Sequence, residues 1–208
     1  MCDSGFGVDE QEAMGNAVQR LSVGGNMMPE FQGFGKIPRL CRDIIITEKI
    51  DGTNAQVCVL ECGMVLAGSR SRWITPENDN HGFARWVQEN EDELRRLGVG
   101  KHFGEWWGSG INRGYGLRNG EKRFSLFNTK RWANEHPKCC EVVPVLYQGP
   151  AINDAVEHCI LQLRVHGSAA VPGFMRAEGI VLYHTAANAL FKVTLENDEQ
   201  AKGQHDLP

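Results

Sequence analysis

The chain has no apolar run approaching 18 residues, so no membrane-spanning helix is expected. Its start, Met1-Cys2-Asp3-Ser4-Gly5, has neither a basic region nor an apolar one, so a secretory leader is not expected either. There is no C-x-x-C pair. The seven cysteines are an odd set, with Cys58 and Cys62 four apart and Cys139 beside Cys140. His136, His158 and Cys159 have no zinc-ligand spacing. Reduced thiols in a cytoplasmic protein are the expectation. Internal repeats and low-complexity segments are missing. So is an excess of positive charge: 22 Lys and Arg against 26 Asp and Glu leave a net −4. That balance excludes an indiscriminate coat for nucleic acid.

What is present is ordinary for a globular protein. The 208 residues are 41% apolar and 23% charged, enough for one domain with a sizeable core. The charge is unevenly spread. Residues 113–131 hold six basic side chains against one acid, Glu121, whereas residues 77–93 hold six acids against one base, Arg85. Arg113, Arg118, Lys122 and Arg123 are therefore candidates for a polyanion-binding face. Two solvated faces of opposite sign would give the same pattern.

Residues 1–35 are Gly-, Met- and polar-rich, and read as a partly loose segment with one short helix near 13–21. A folded domain is expected over 36–196, and a polar tail over 197–208. Strands are expected near 43–49, 54–61, 63–69, 102–107, 123–128, 178–184 and 189–195. Phe83, Trp86 and Val87 have helical spacing, and so do Ile152, Val156, Ile160 and Leu163. Asn90-Glu91-Asp92-Glu93 reads as a capping box, with Gly98 closing the second short helix. Strand-rich segments with interspersed helices predict an α+β fold.

The densest information lies in Lys49-Ile50-Asp51-Gly52-Thr53-Asn54. An apolar strand delivers a lysine to its end, and a Gly-containing turn follows. That suits an amine nucleophile, because Gly lets backbone approach a phosphate closely. A hairpin turn with a surface lysine is the plainer alternative. At roughly 5% usage per residue type, K-x-D-G-x-N arises by chance about once in a thousand chains of this length.

Glu48-Lys49-Ile50-Asp51-Gly52-Thr53-Asn54 resembles the first motif of the covalent nucleotidyltransferases, the ATP-dependent ligases and mRNA capping enzymes. Its form is most similar to the RNA ligase branch, specifically minimal, phage-type RNA ligases. Five further stretches resemble that family in the right order. Gly68-Ser69-Arg70 resembles its arginine segment, and Phe103-Gly104-Glu105 its F-G-E motif. Phe124-Ser125-Leu126-Phe127 resembles its aromatic strand, and Glu178-Gly179-Ile180-Val181 its E-G-h-h motif. Phe191-Lys192-Val193-Thr194 is similar to the final K-x-K, with Thr194 in the second lysine's place.

The resemblance implies a nucleotidyltransferase domain of antiparallel sheets flanked by helices. It implies that Lys49 takes AMP from ATP and passes it to an RNA 5′-phosphate, which a 3′-OH then displaces. It implies nucleotide contacts from Glu48, Asn54, Arg70, Glu105, Phe127, Glu178 and Lys192. Phe127 would stack on adenine, with Glu48 near the base edge. It also implies a hydrated Mg²⁺ or Mn²⁺ near Asp51, Glu105 and Glu178. A free lysine, with a pKa of about 10.4, is neutral in only about one molecule in 2,500 at pH 7, so a nearby cation has a reason to be there. RNA ends are the implied partner. The chain ends soon after the last motif, so no OB-fold domain is expected. A DNA ligase or capping-type core with its second domain on another chain is the enzyme alternative. A degenerate domain that holds ATP or nucleic-acid ends without turnover is the binding alternative. Gly108-Ser109-Gly110-Ile111-Asn112-Arg113-Gly114 reads as a flexible basic loop, because no βαβ unit surrounds it.

Overall fold

The computed structural model describes residues 30–196 and, before them, the backbone of two short strands. The chain divides into two compact units, residues 1–37 and 38–208. In the first, β1 (Ser22–Val23) pairs antiparallel with β2 (Asn26–Met27). The helix expected near 13–21 and the tail from 197 lie outside the described residues.

The second unit holds two sheets. One has the order β10-β3-β11-β12, made of β3 (Asp43–Lys49), β10 (Val145–Pro150), β11 (Gly179–His184) and β12 (Ala189–Thr194). The β-branched run Ile44-Ile45-Ile46-Thr47 favours β3 as a strand. Its alternation buries Ile44, Ile46 and Glu48 on one face and leaves Thr47 and Lys49 on the other. Helix α4 (Asn153–His166) covers the buried face with Ala155, Cys159 and Leu163, which pack with Ile44, Ile46 and Ile180. The apolar stripe is therefore rotated from its expected position, and Ile152 lies outside the helix, exposed. Gly167, at φ 77°, ends α4 as glycine readily does.

The other sheet has the order β6-β5-β4-β7-β8-β9. Its strands are β4 (Thr53–Val59), β5 (Val65–Ser69), β6 (Trp73–Ile74), β7 (Gly100–Gly108), β8 (Lys122–Leu126) and β9 (Cys140–Val142). All pairs are antiparallel except β8 with β9, which is parallel. Helices α1 (Phe83–Glu89) and α2 (Glu91–Leu94) put Phe83, Val87 and Leu94 on its core face, against Val57, Val59, Trp106, Phe124 and Leu126. A short helix α3 (Thr129–Trp132) follows β8. The capping box does not form. The Asn90 amide instead donates back to the Trp86 carbonyl at 2.8 Å, because α1 ends where α2 begins and its last carbonyls need donors.

The turn Ile50–Gly52 carries the chain from the end of β3 in the first sheet to the start of β4 in the second. A third apolar cluster, Ile50, Trp107, Tyr115 and Val143, packs behind it. Each sheet thus keeps one face on a helix-lined core and one face free of it, and the Lys49 turn joins them.

Candidate active site

Lys49 ends β3 on the face away from α4. Its Nζ donates to Glu178 Oε2 at 2.5 Å, with both side chains mostly buried. Glu178 immediately precedes β11, whose Gly179 is the register partner of Lys49. The backbones meet closely here: a Cβ at residue 179 would lie 2.1 Å from the Val193 carbonyl oxygen. The next strand puts Thr194 opposite Gly179 and Lys192 opposite Val181. Thr194, Gly179 and Lys49 therefore form one row across three strands. Lys192 lies one row back, level with Thr47, on the same face. Lys192 is exposed. The Thr194 hydroxyl donates to the Glu196 carbonyl at 2.9 Å.

Glycine is required at residue 52 by packing. A Cβ would meet the Trp106 carbonyl oxygen at 2.4 Å and Trp107 Cβ at 2.7 Å. The Gly52 amide donates to Glu105 Oε1 at 3.1 Å, and Asn54 Nδ2 approaches Glu105 Oε2 at 3.5 Å. Asn54 and Glu105 are register partners, and Ser125 is the next residue in that row. One row on, Gln56 pairs with Phe103, and the Phe127 amide donates to the Phe103 carbonyl at 3.0 Å. Asn54, Gln56, Ser69, Arg70, Phe103 and Phe127 line a cleft of about 250 Å³. Phe127 is 41% exposed there, whereas Phe124 is fully buried in the core. Alternation along β8, carried to the residue just past its end, separates them, as the sequence spacing implies.

Burial pushes the Glu105 carboxyl up to about 7. The Lys49 charge and the Gly52 amide oppose the rise, and the charges of Glu178 and Asp51 add to it. Lys49, Glu178, Asp51 and Glu105 thus share one electrostatic neighbourhood. Among the described residues, no three His, Cys, Asp or Glu side chains are grouped to coordinate a metal ion directly. The expectation of a cation at Asp51, Glu105 and Glu178 is confined to one held through its water shell.

Glu48 points the other way. It is 1% exposed, and its Oε2 accepts from the amides of Ala169 and Ala170 at 2.8 and 2.9 Å. Burial raises its pKa, opposed by hydrogen bonds from Ser168, Ala170 and Ala169. The carboxyl thus anchors the loop after α4, on the face opposite Lys49. The expected position at a base edge is corrected accordingly: strand alternation turns adjacent residues to opposite faces.

The loop after β7 was expected to be flexible and basic. It is instead anchored, with Ile111 and Tyr115 buried. Tyr115 accepts a hydrogen bond from the Asp51 amide at 3.0 Å. Asn112 Nδ2 donates to Asp51 Oδ1 at 2.9 Å and to the Gly52 carbonyl at 2.7 Å. Arg113 pairs with Asp51 at 3.2 Å and with Glu196 at 3.2 Å. Sequence reasoning missed Asn112 and Tyr115, which hold the turn after Lys49. Their signal was the Gly-rich spacing itself, which permits the left-handed backbone of Asn112 and Tyr115 between glycines.

Arg113 was expected to face RNA, but it is committed to Asp51 and Glu196. Arg123 was expected there too, but it pairs with Glu121 and Glu141 at 2.7 and 3.2 Å and lies over Trp107. Asp51 and Glu196 neutralise Arg113, and Glu121 with the more distant Glu141 neutralises Arg123. Arg118 is exposed and Lys122 half-buried. No described helix is long and apolar enough to cross a membrane.

Comparison with known proteins finds the same fold elsewhere. No curated protein sequence matched the chain. Solved structures did. A single-substitution variant of Naegleria gruberi RNA ligase with ATP and Mn superimposes at TM-score 0.59 and 18% identity, over 76% of this chain and 51% of that one. A second variant with ATP and Mn gives 0.56 and 19%, over 76% and 51%. A third with AMP and Mn gives 0.53 and 18%, over 74% and 50%. The likeness is one of fold, and this chain spans about half the length of those ligases. The RNA ligase family model matches residues 42–194, from the start of β3 to the end of β12. The chain belongs to the RNA ligase family.

Proposed function

We propose that the chain is an ATP-dependent RNA ligase that joins RNA 3′-OH and 5′-phosphate ends through a Lys49–AMP intermediate. One observation carries the reading. A lysine at a strand end, held by a buried carboxylate at 2.5 Å, acts electrostatically on Glu105, whose register partner Asn54 lines one cleft with Arg70 and Phe127.

The chemistry runs in three displacements. Lys49 Nζ, having lost a proton, attacks the α-phosphorus. The P–N bond forms, the bond to the bridging oxygen breaks, and pyrophosphate leaves with the electron pair. An oxygen of an RNA 5′-phosphate then attacks the same phosphorus, and the P–N bond breaks to return the amine. A 3′-hydroxyl next attacks the 5′-phosphorus, gives up its proton, and AMP leaves. Glu178 orients the amine. Asn54 and Glu105 suit ribose hydroxyls. Arg70 offers paired donors to a phosphate, and Phe127 offers a ring to the base. Lys192 supplies the charge that faces the α-phosphate. Glu48 holds the loop behind β3.

The Naegleria ligase structures contain Mn with ATP or AMP. Mg²⁺ or Mn²⁺ is the cofactor proposed here. Glu105, whose proton affinity is raised chiefly by burial and further by the charges of Glu178 and Asp51, sits with those two carboxylates in a group that suits a hydrated cation. Those three side chains would hold its waters. When bound, such an ion offsets phosphate charge and favours the neutral amine.

Incubation with α-labelled ATP tests the reading. An acid-labile label on the protein is expected from ATP and not from GTP, and Lys49→Ala should abolish it. Labelling from GTP would favour a capping-type enzyme. No labelling from either, or labelling retained in Lys49→Ala, would sink the assignment. Joining across nicked RNA, nicked DNA and single-stranded RNA then identifies the substrate.

A further inference from the structure

On the core-side face of the six-stranded sheet, a second cleft of about 310 Å³ opens between α1 and β8, lined by His81, Arg85, Trp86, Glu89, Trp106 and Lys122, with Gly82 and Gly120 at its edges. We propose that this cleft binds the RNA strand a few nucleotides from the end held at Lys49. The proposal rests on the RNA-ligase reading and adds a site to it.

Three observations point to a nucleotide. First, Arg85 and Lys122 come from separate elements onto one cleft. Neither side chain has a carboxylate within ion-pairing distance among the described residues. Arg85 is the one base in the acidic stretch 77–93, and the fold sets it beside the basic stretch. Two cations outside any ion pair fit two phosphates. Second, Trp86 lies half-buried at the edge of the cluster it forms with Phe83, Trp106 and Phe124. It lines the cleft, so part of the indole is open to a base. Third, the cleft is built. The Trp106 indole donates to the His81 carbonyl at 3.1 Å, and His81 has φ 53°, a left-handed conformation that few residues other than glycine adopt. The first amides of α1 are already taken, because Asp79 accepts from Ala84 and Arg85 at 2.7 and 3.1 Å. Recognition therefore falls to the side chains. Glu89, also on the cleft, accepts from hydroxyl or amine and repels a third phosphate. A mixed lining of this kind suits one nucleotide step, not a bare polyphosphate.

The position relates the cleft to the chemistry. Trp106 is next to Glu105 in β7 and points to the opposite face, and it is the register partner of Thr53. Asn80, just before His81, donates to the Thr53 hydroxyl at 3.2 Å. Thr53 is four residues from Lys49, so the rim between cleft and nucleophile is within about 14 Å along the backbone. A strand that begins at Lys49 and crosses this rim reaches the cleft after roughly four stacked nucleotides, at about 3.4 Å each.

Fluorescence anisotropy with two probes tests this: a 5′-phosphorylated 12-mer RNA and a 5′-phosphorylated 3-mer. Arg85→Ala with Lys122→Ala, and separately Arg85→Gln, are compared with the parent after melting curves verify folding. The double variant should weaken 12-mer binding about tenfold and leave 3-mer binding within twofold. The slope of log affinity against log salt should become shallower by about 1.4, for two contacts on a single strand. Arg85→Gln should show about half of that slope change. Unchanged 12-mer affinity and slope would overturn the proposal. So would equal weakening for both lengths, or competition by an acidic peptide as effective as unlabelled RNA. Labelling of the parent protein by ATP is measured in parallel. Its failure would count against the ligase reading, whereas intact labelling with unaltered RNA binding would count against the cleft alone.

Discussion

Arg113 grips Asp51 through Nε at 3.2 Å. The same guanidinium donates to the Arg176 carbonyl at 3.3 Å and pairs with Glu196 at 3.2 Å. One side chain thus ties together the turn after Lys49, the approach to Glu178 and the exit from β12. The planar fork of arginine can serve three acceptors at once, and a lysine cannot match it.

Arg113 is therefore a positioning residue for the Lys49–Glu178 pair. A partly exposed ion pair of this kind contributes little stability, about 0–1 kcal/mol. Loss of alignment is costlier, on the order of 10²-fold in rate for a displacement near 1 Å. Arg113→Ala should slow single-turnover adenylation by that order at saturating ATP, with only a small fall in melting temperature. Arg113→Lys should recover part of the rate. A loss that disappears when both proteins are assayed well below their melting temperatures would reduce Arg113 to a structural tie.

Phe127 and Phe124 are three residues apart and have opposite fates. Phe127→Ala should weaken nucleotide use by about 1–3 kcal/mol, the usual worth of a stacked base, and melt normally. Phe124→Ala should lose about 3–5 kcal/mol of stability, because it empties part of a packed aromatic core where Phe83 lies 5.1 Å away, centroid to centroid. The check is the ATP dependence of labelling beside a urea melt for each variant. Reversed outcomes would mean that the base lies elsewhere than the 250 Å³ cleft.

Lys192 stands one row behind the Lys49–Gly179–Thr194 line, about 7 Å along the strand. Its flexible stem can lean that distance, and Gly179 offers no side chain in the way. Removing one preorganised cation from a developing charge typically costs about 10²–10³-fold. Lys192→Ala should slow adenylation by that amount, and Thr194→Ala much less. The comparison is single-turnover labelling at saturating ATP and metal. Near-parent rates in Lys192→Ala would transfer the work to Arg70.

Much of this was legible because the informative residues lie on regular elements. Alternation in Ile44-Ile45-Ile46-Thr47-Glu48-Lys49 fixes β3 and the face that Lys49 takes, and β8 separates Phe124 from Phe127 in the same way. The 3.6 period marks α4, although Ala155 and Cys159, too small or too ambiguous to read as core, take the place expected for Ile152. Short strands such as β6 and β9 carry too few residues for a period. Partners far apart in sequence were out of reach. Nothing near Arg113 or Arg123 announces Asp51, Glu196 or Glu141, so a locally basic stretch looked free when those two arginines were committed. Glu48 was misplaced because its partners, Ala169 and Ala170, contribute only backbone amides, which no side-chain pattern reveals.

His102 gives a pH test of the fold that is independent of the site. It is buried on β7, with Nε2 2.9 Å from the Gly98 carbonyl and its ring edge-on to Trp132. Burial lowers its proton affinity, opposed by the Gly98 carbonyl and assisted by the charge of Arg131. The folded-state pKa thus lies below the unfolded value of about 6.5. Below that value the unfolded chain binds the extra proton more readily than the native one, so stability is fully present above about pH 6.5 and declines as pH falls toward the folded-state pKa. His102→Gln keeps an N–H for the Gly98 carbonyl and removes the titration. Urea melts at pH 7.5 and pH 5.5 should show a larger acid-induced loss in the parent than in the variant. Equal losses would mean that His102 accepts its proton in place, with the Gly98 carbonyl outweighing burial.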